Sequence, residues 1–244
     1  MTFRRFLFAI LVAIVSTPAW PGPPYMTDDP EPTETGHFEI YAFTGGTAVR
    51  GDLGGASGID FNYGGAPDLQ LTAVLPLEYD APSGAPNAMG IGNIELAAKY
   101  RFLHQDDFGW DVAVFPRLFL PSASPLVGAR HVSFLLPLWV GKDFGAWSTF
   151  GGGGCALNNG GGERSYCLAG WALTREVLPE LHLGAEIYHQ TAATRSGRAS
   201  TGIGFGATYD LSENYHLMVS AGPGIQNAAE TNRASWYVAM LFTF

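Results

Sequence analysis

The residues able to do chemistry in this 244-residue chain are mostly charged, and they recur at alternating positions. Glu39, Asp60, Asp68, Glu78, Glu95, Lys99, Arg101, Asp111, Arg117, Glu186 and Asp210 share the parity of the polar residues in their own strand-like stretches. An extended chain sends alternate side chains to opposite faces, so this set is predicted to face one interior. Two chemistries follow. A water-filled interior with eight acids and three bases favours cations or neutral solutes over anions. Alternatively, opposed charges on adjacent strands pair and fill a narrow interior. Glu95, Lys99, Arg101, Asp111 and Arg117 lie on neighbouring stretches and are candidates for such a network.

Tyr41, Phe43, Phe115 and Phe119 have the same inward parity. They line a path for apolar or aromatic solutes, or they pack the interior. Cys155 and Cys167 bracket the 158–164 segment symmetrically, which is compatible with a cross-hairpin disulfide in an oxidising compartment. No CxxC motif or Cys/His cluster points to a metal, and no cofactor motif is present. The Gly151–Gly154 run lacks the GK[ST] ending of a phosphate-binding loop and reads as a thin-walled strand that admits another segment closely. His189 and Ser235 are the residue types of a rim lipase, but no spacing pairs a nucleophile with a base. The chain is therefore not expected to be an enzyme. Its net charge of −9 argues against nucleic acid, which demands a basic surface.

The elements that position these residues have period two. Leu69, Leu71, Ala73, Leu75, Leu77 and Tyr79 oppose Asp68, Gln70, Thr72 and Glu78; Gly92, Ile94, Leu96, Ala98, Tyr100 and Phe102 oppose Asn93, Glu95, Lys99 and Arg101. Twelve such strands are predicted, at 37–44, 57–63, 69–79, 90–103, 109–121, 131–143, 146–157, 165–177, 181–191, 200–211, 215–226 and 235–244. Long connections near 45–56, 80–89, 122–130, 158–164, 192–199 and 227–234 alternate with short ones near 64–68, 104–108, 144–145, 178–180 and 212–214. An even strand count with long outer loops and short periplasmic turns describes an outer-membrane barrel. A secreted β-sandwich also alternates, but Trp236, Val238, Met240, Phe242 and Phe244 form an apolar row up to the last residue. That row resembles the signal read by the barrel-assembly machinery. Trp110, Trp147, Trp236, Tyr79, Tyr100 and Tyr209 suit the aromatic girdles at the two interfaces. Pro76, Pro116, Pro137 and Pro223 each remove a ladder donor and predict bulges or broken pairing. Such breaks shape a lateral opening in a transport barrel, or are tolerated kinks.

Arg4 and Arg5, the apolar run 6–15 and the small residues around Ala19 have the layout of a signal peptide over 1–19. Residues 20–35 are rich in proline and acid, and form an arm that is either extended in the periplasm or folded into the barrel mouth. Residues 36–244 form the barrel. Only 14% of residues are charged, against roughly 25% in ordinary soluble domains. No apolar run after the N-terminus reaches the ~20 residues of a membrane helix, so a membrane form must be a closed barrel.

The stretch from Leu136-Pro137-Leu138-Trp139-Val140-Gly141-Lys142-Asp143-Phe144-Gly145 through Ala146-Trp147-Ser148-Thr149-Phe150 to Gly154 resembles a signature of an outer-membrane transporter family associated with the meta-pathway of phenol degradation. Gly170-Trp171, the stretch from Leu183 to Thr191, the stretch from Gly90 to Leu96, and Thr27-Asp28-Asp29 are similar to its other parts. The resemblance implies a porin-like barrel in the outer membrane of a Gram-negative bacterium. It also implies passive uptake of small solutes, hydrophobic or aromatic ones included. The expected fold is all-β, a single antiparallel transmembrane barrel of about 12 strands. The expected partners are outer-membrane lipid, the assembly machinery and a small-molecule solute. A non-conducting structural or surface-interaction barrel is the alternative.

Overall fold

The computed structural model describes residues 23–128 and 131–244. The predicted signal peptide over 1–19 and the first three residues of the arm lie outside the described residues. The chain folds into β1 (Phe38–Val49), β2 (Asp52–Ala66), β3 (Leu69–Ala81), β4 (Ala88–Ile91), β5 (Glu95–Leu103), the one-turn helix α1 (Gln105–Phe108), β6 (Asp111–Val114) and β7 (Arg117–Phe119). It continues through β8 (Ser133–Phe144), β9 (Trp147–Leu157), β10 (Tyr166–Leu178), β11 (Leu181–Gln190), β12 (Ser200–Ser212), β13 (Tyr215–Gly222), β14 (Gly224–Gln226) and β15 (Ala234–Thr243). All strands are in one sheet, paired antiparallel with their chain neighbours, and β1 closes on β15 with Ala42 opposite Met240. Because β4/β5, β6/β7 and β13/β14 are each one interrupted strand, the wall has twelve staves. Closure of β1 on β15 leaves the sheet no free outer edge, the condition for crossing lipid with strands; the short β4 and β14 each have a strand partner on one side.

The alternation is expressed as predicted. Leu71, Leu75, Leu96, Tyr100, Ile187, Phe205 and Val238 are exposed on the outer surface, while Gln70, Thr72, Glu95, Lys99 and Glu186 are buried inside. Trp110, Trp147, Tyr100 and Tyr209 are exposed outward. Trp236 and Tyr79 are half-covered, the latter donating its hydroxyl to the Gly45 carbonyl.

Three expectations are corrected. The predicted long loop at 45–56 does not form; β1 and β2 run on to a two-residue turn, with Val49 opposite Asp52. Arg50 and Gly51 both have positive φ, 47° and 93°, the geometry of a tight hairpin turn. The glycines there are strand residues whose missing side chains let neighbours close in: a Cβ on Gly46 would lie 2.7 Å from the Trp236 ring. The span 90–103 is likewise not one strand, since β4 and β5 separate at residues 92–94. The span 109–121 is two short strands split at Phe115 and Pro116, because Pro116 has no donor for the ladder. Pro223 splits β13 from β14 in the same way, whereas Pro76 and Pro137 stay within β3 and β8. Thirdly, among the described residues it is the flanking strands that close on the Gly151–Gly154 run, and not a separate segment: Trp171 lies against Gly151, Trp139 against Gly152, and the backbone of Leu168 and Leu136 against Gly153 and Gly154.

Candidate functional site

The barrel interior is occupied by the chain's own N-terminal arm. Residues 23–35 enter beside the short turns and cross the lumen. Gly36 N–H donates to the Gly64 carbonyl, 2.7 Å. Thr33 donates N–H and hydroxyl to Gln70 Oε1 at 2.9 and 3.1 Å. Lys99 Nζ donates to Asp28 Oδ1 at 3.0 Å and to the Glu31 carbonyl at 3.2 Å. Glu186 accepts from the amides of Met26 and Thr27, 2.9 and 3.0 Å, and from the Thr27 hydroxyl, 2.9 Å. The Ser220 hydroxyl donates to the Pro24 carbonyl. The periplasmic-arm alternative is therefore excluded. Pro23, Pro24, Pro30 and Pro32 keep the segment from forming a continuous strand, so it meets the sheet only at isolated bridges such as Thr35 to Gly64, and wall side chains satisfy other backbone groups.

The wall is moulded to this arm. Gly170 faces Thr27, Gly184 faces the Tyr25 hydroxyl, and a Cβ on Gly206 would lie 2.8 Å from the Tyr25 ring. A Cβ on Gly141 would lie 2.7 Å from Pro30 Cδ. The inward face of β8, β10, β11 and β12 is thus glycine where the plug presses on it.

The predicted inward residues fall into distinct groups. Glu39, Tyr41, Glu95, Lys99, Phe115 and Arg117 surround the arm's acids, with Asp60 among them, and leave only about 50 Å³ of free space. Arg117 holds Glu95 through two bonds, 2.6 and 2.9 Å. Phe115 receives both cations over its ring, Lys99 at 5.1 Å and Arg117 at 5.3 Å. The five-residue charge network expected from the sequence is divided. Arg101 sits at the inner rim with Asp68 at 3.0 Å and Asp111 at 3.6 Å. Lys99 finds Asp28 and Asp29 of the arm, at 3.0 and 3.6 Å. Asp210 also lies at the rim, bonded to His216 at 2.6 Å.

The arm supplies the least solvated acid. Asp28 is buried, and its Oδ2 has no hydrogen-bond partner. Burial pushes its carboxyl up to about 6, against the pull of the Lys99 ammonium.

Two apolar patches flank the polar centre. Phe115, Leu135, Trp139, Ala156 and Leu168 form one, with Phe119 packed against it. Met218, Tyr237, Ala239 and Leu241 form the other, with Tyr41 and Phe43 against it. The Phe43 and Tyr237 rings stack at 6.1 Å. Trp139 and Tyr237 were missed as lumen residues, although the parity of β8 and β15 marks both. Tyr25 and Thr27 carried no such signal.

Glu78 is apart from these groups, buried where the wall is incomplete, with Gly92 against its carboxylate. β4 pairs with β3 alone. Residues 120–124 take the place of the missing ladder: Leu120 N–H donates to the Ile94 carbonyl, 2.8 Å, and Ser124 N–H to the Ile91 carbonyl, 2.7 Å. The Ser122 hydroxyl donates to the Gly92 carbonyl, 3.0 Å. Cys155 and Cys167 face each other across β9 and β10 and are disulfide-bonded, Cα to Cα 3.9 Å, on the outer surface. Tyr188 bonds Asn232 at 2.8 Å and Ser235 at 3.1 Å, while His189 bonds Thr201 at 2.8 Å. Ser235 and His189 therefore have separate partners.

The family model described as "Putative MetA-pathway of phenol degradation" matches residues 25–240, from the plug to the last strand. The chain belongs to this family. Its fold is shared with a crystal structure of an outer membrane channel from Pseudomonas putida F1, at TM-score 0.75 and 13% identity over 88% of this chain and 98% of that one. The NanC porin structure is similar at TM-score 0.58 and 8% identity, over 84% and 98% of the two chains. The beta domain of a Bordetella autotransporter is similar at 0.52 and 14%, over 87% and 100%. No curated protein matches the sequence significantly. The family member described here has the fold of an outer-membrane β-barrel.

Proposed function

We propose that this barrel is a channel for small solutes, aromatic and hydrophobic ones included, and that the conformation described is its shut state. The observation that carries the reading is how the arm is held. Hydrogen bonds to Gln70, Lys99, Glu186 and Ser220 retain it, with Tyr25, Thr27 and Pro30 seated against wall glycines, and it joins no continuous strand of the wall. Bonds made inside are replaced by bonds to water when the arm leaves, so the plug is displaceable. With the arm out, the lumen between the Phe115–Trp139 and Phe43–Tyr237 patches is an aromatic-walled path with charge along it. The family's description, which refers to phenol degradation, and the neighbour described as an outer membrane channel support this reading. The seam between β4 and β5, beside Glu78, is held by residues 120–124 and not by strand pairing, so it is where the wall would part to give apolar solutes a sideways exit. The C-terminal row from Trp236 to Phe244 serves assembly in the same proposal.

The test is conductance of the refolded chain in a planar bilayer, compared with a variant lacking residues 23–34. The shut-state reading expects a nearly silent intact chain. It expects discrete steps from the shortened one, reduced by a small aromatic solute. A shortened barrel that is folded, by its heat-modifiable electrophoretic mobility, yet silent would overturn it. The filled lumen would then favour the second reading, a non-conducting structural barrel.

A further inference from the structure

Outside the lumen, the charges of this acidic protein are unevenly divided between its ends, most acids lying at the inner end together with Arg101, Lys142 and Arg175. Every short turn has an acid in it or beside it: Asp68, Asp106 and Asp107, Asp143, Glu180 and Glu213. At the other end, four connections carry five exposed arginines and no lysine among the described residues: Arg50, Arg164, Arg195, Arg198 and Arg233. Four acids accompany them, Asp80 at the outer end of β3 being one. Glu163 is buried and holds Asn158, Glu230 pairs with Arg198, and Asp52 accepts from Ser83. Among the described residues, Arg50, Arg164, Arg195 and Arg233 have no ion pair.

The four connections are neighbours around the rim. Glu163 bridges Thr194, joining the β9–β10 and β11–β12 loops, and Arg164 and Arg195 line one open cup of about 530 Å³ there. Asn227 donates to the Ala199 carbonyl at 2.8 Å, joining the β14–β15 loop. Ala48 faces Ala234, so Arg233 and Arg50 stand one and two residues above the same rung. The arginines thus form a continuous arc. Beneath it the wall presents exposed Leu53, Leu157 and Ile225.

We propose that this arc binds the phosphate groups of the phosphorylated glycolipid that forms the outer leaflet. The guanidinium fork matches a phosphate bidentately, which a lysine cannot do. Cations directly above an apolar belt meet phosphates that sit directly above acyl chains. The arc spreads over four loops, so it fits several phosphates on lipids packed around the wall and not one free anion in a pocket. Long-range attraction to an anionic leaflet also orients the barrel, since the opposite rim is acidic.

The test is titration of the refolded full chain, in zwitterionic micelles, with bisphosphorylated lipid A and with the same lipid after phosphatase treatment. Binding of the phosphorylated lipid is expected, with at least ~10-fold loss after dephosphorylation or in the Arg164→Gln/Arg195→Gln/Arg233→Gln variant. Lys142→Gln/Arg175→Gln at the inner end is expected to bind as the parent does. Equal binding of both lipids, or equal loss in the inner-end variant, would overturn the assignment. So would competition by inorganic phosphate at low millimolar concentration, which would indicate a free-anion site. Unchanged electrophoretic mobility of each variant establishes that the barrel has folded.

Discussion

Lys99 Nζ lies 3.0 Å from the Asp28 carboxylate, so a cation rooted in the wall is neutralised by a segment that is not part of the wall. Both side chains are almost fully buried, at 5% and 4% exposure. Lys99→Met leaves Asp28 charged and unpaired wherever the docked carboxyl is ionised, at a cost of about 3–5 kcal/mol, so the measurement is made well above about pH 6, where a proton does not relieve it. Lys99→Met is therefore expected to expel the arm while the ladder stays intact. The open-channel probability in bilayers should rise by at least ~100-fold. A Lys99→Met barrel as silent as the parent would show that the pair does not hold the plug.

The moulded glycines give a steric test that leaves the charges alone. A methyl at Gly170 or Gly206 meets Thr27 or Tyr25. Gly170→Ala and Gly206→Ala are expected to loosen the arm. The measurement is hydrogen exchange at the Thr27 and Thr33 amides, which should quicken in the variants while exchange in β11 stays slow. Gly161→Ala, in an outer loop with open space around it, is the matching control.

Acid is expected to tighten the plug. The docked Asp28 carboxyl keeps its proton up to about 6, whereas a hydrated arm releases it near the ordinary 3.8. The docked state binds the proton more strongly, so protonation favours docking. This contribution is complete below 3.8 and is lost as pH rises through about 6. Conductance should be lower at about pH 4.5 than at about pH 7.5, and Asp28→Asn should flatten the difference. A dependence that persists unchanged in Asp28→Asn would assign it to another group.

The disulfide is expected to matter for stability and not for gating. Cys155 and Cys167 bridge β9 and β10 on the outer surface, away from the arm. They close a loop with a sequence separation of 12, and such a bond contributes about 2–3 kcal/mol. Cys155→Ala/Cys167→Ala should lower the midpoint of urea unfolding and leave conductance at the parent level.

The wall was legible in the sequence because lipid outside and polar groups inside impose one rule at every second residue. That rule places Leu75 and Glu78, or Phe205 and Glu186, on their faces without knowledge of their neighbours. It fails at 45–56, where the glycine signal of a loop and that of a close-packed hairpin are the same. It fails again for residues 23–35. Their position depends on Gln70, Lys99 and Glu186, residues scattered over three strands, and proline-rich chain has no period of its own. The split of the predicted charge network has the same origin. Strand order alone pairs Lys99 with its wall neighbours, but Asp28 reaches it from a segment the strand pattern does not describe.

Because the arm runs straight into β1, it is a tethered ligand for its own barrel. A short linker holds such a ligand at an effective concentration of the order of millimolar. A solute entering by competition must outbid that concentration from dilute solution. Weakening the attachment at Asp28 and Lys99 changes the outcome far more than raising the solute level does. In the proposed channel, permeation is then governed by the attachments of the arm, the Asp28–Lys99 pair among them, and supply outside has little leverage on it.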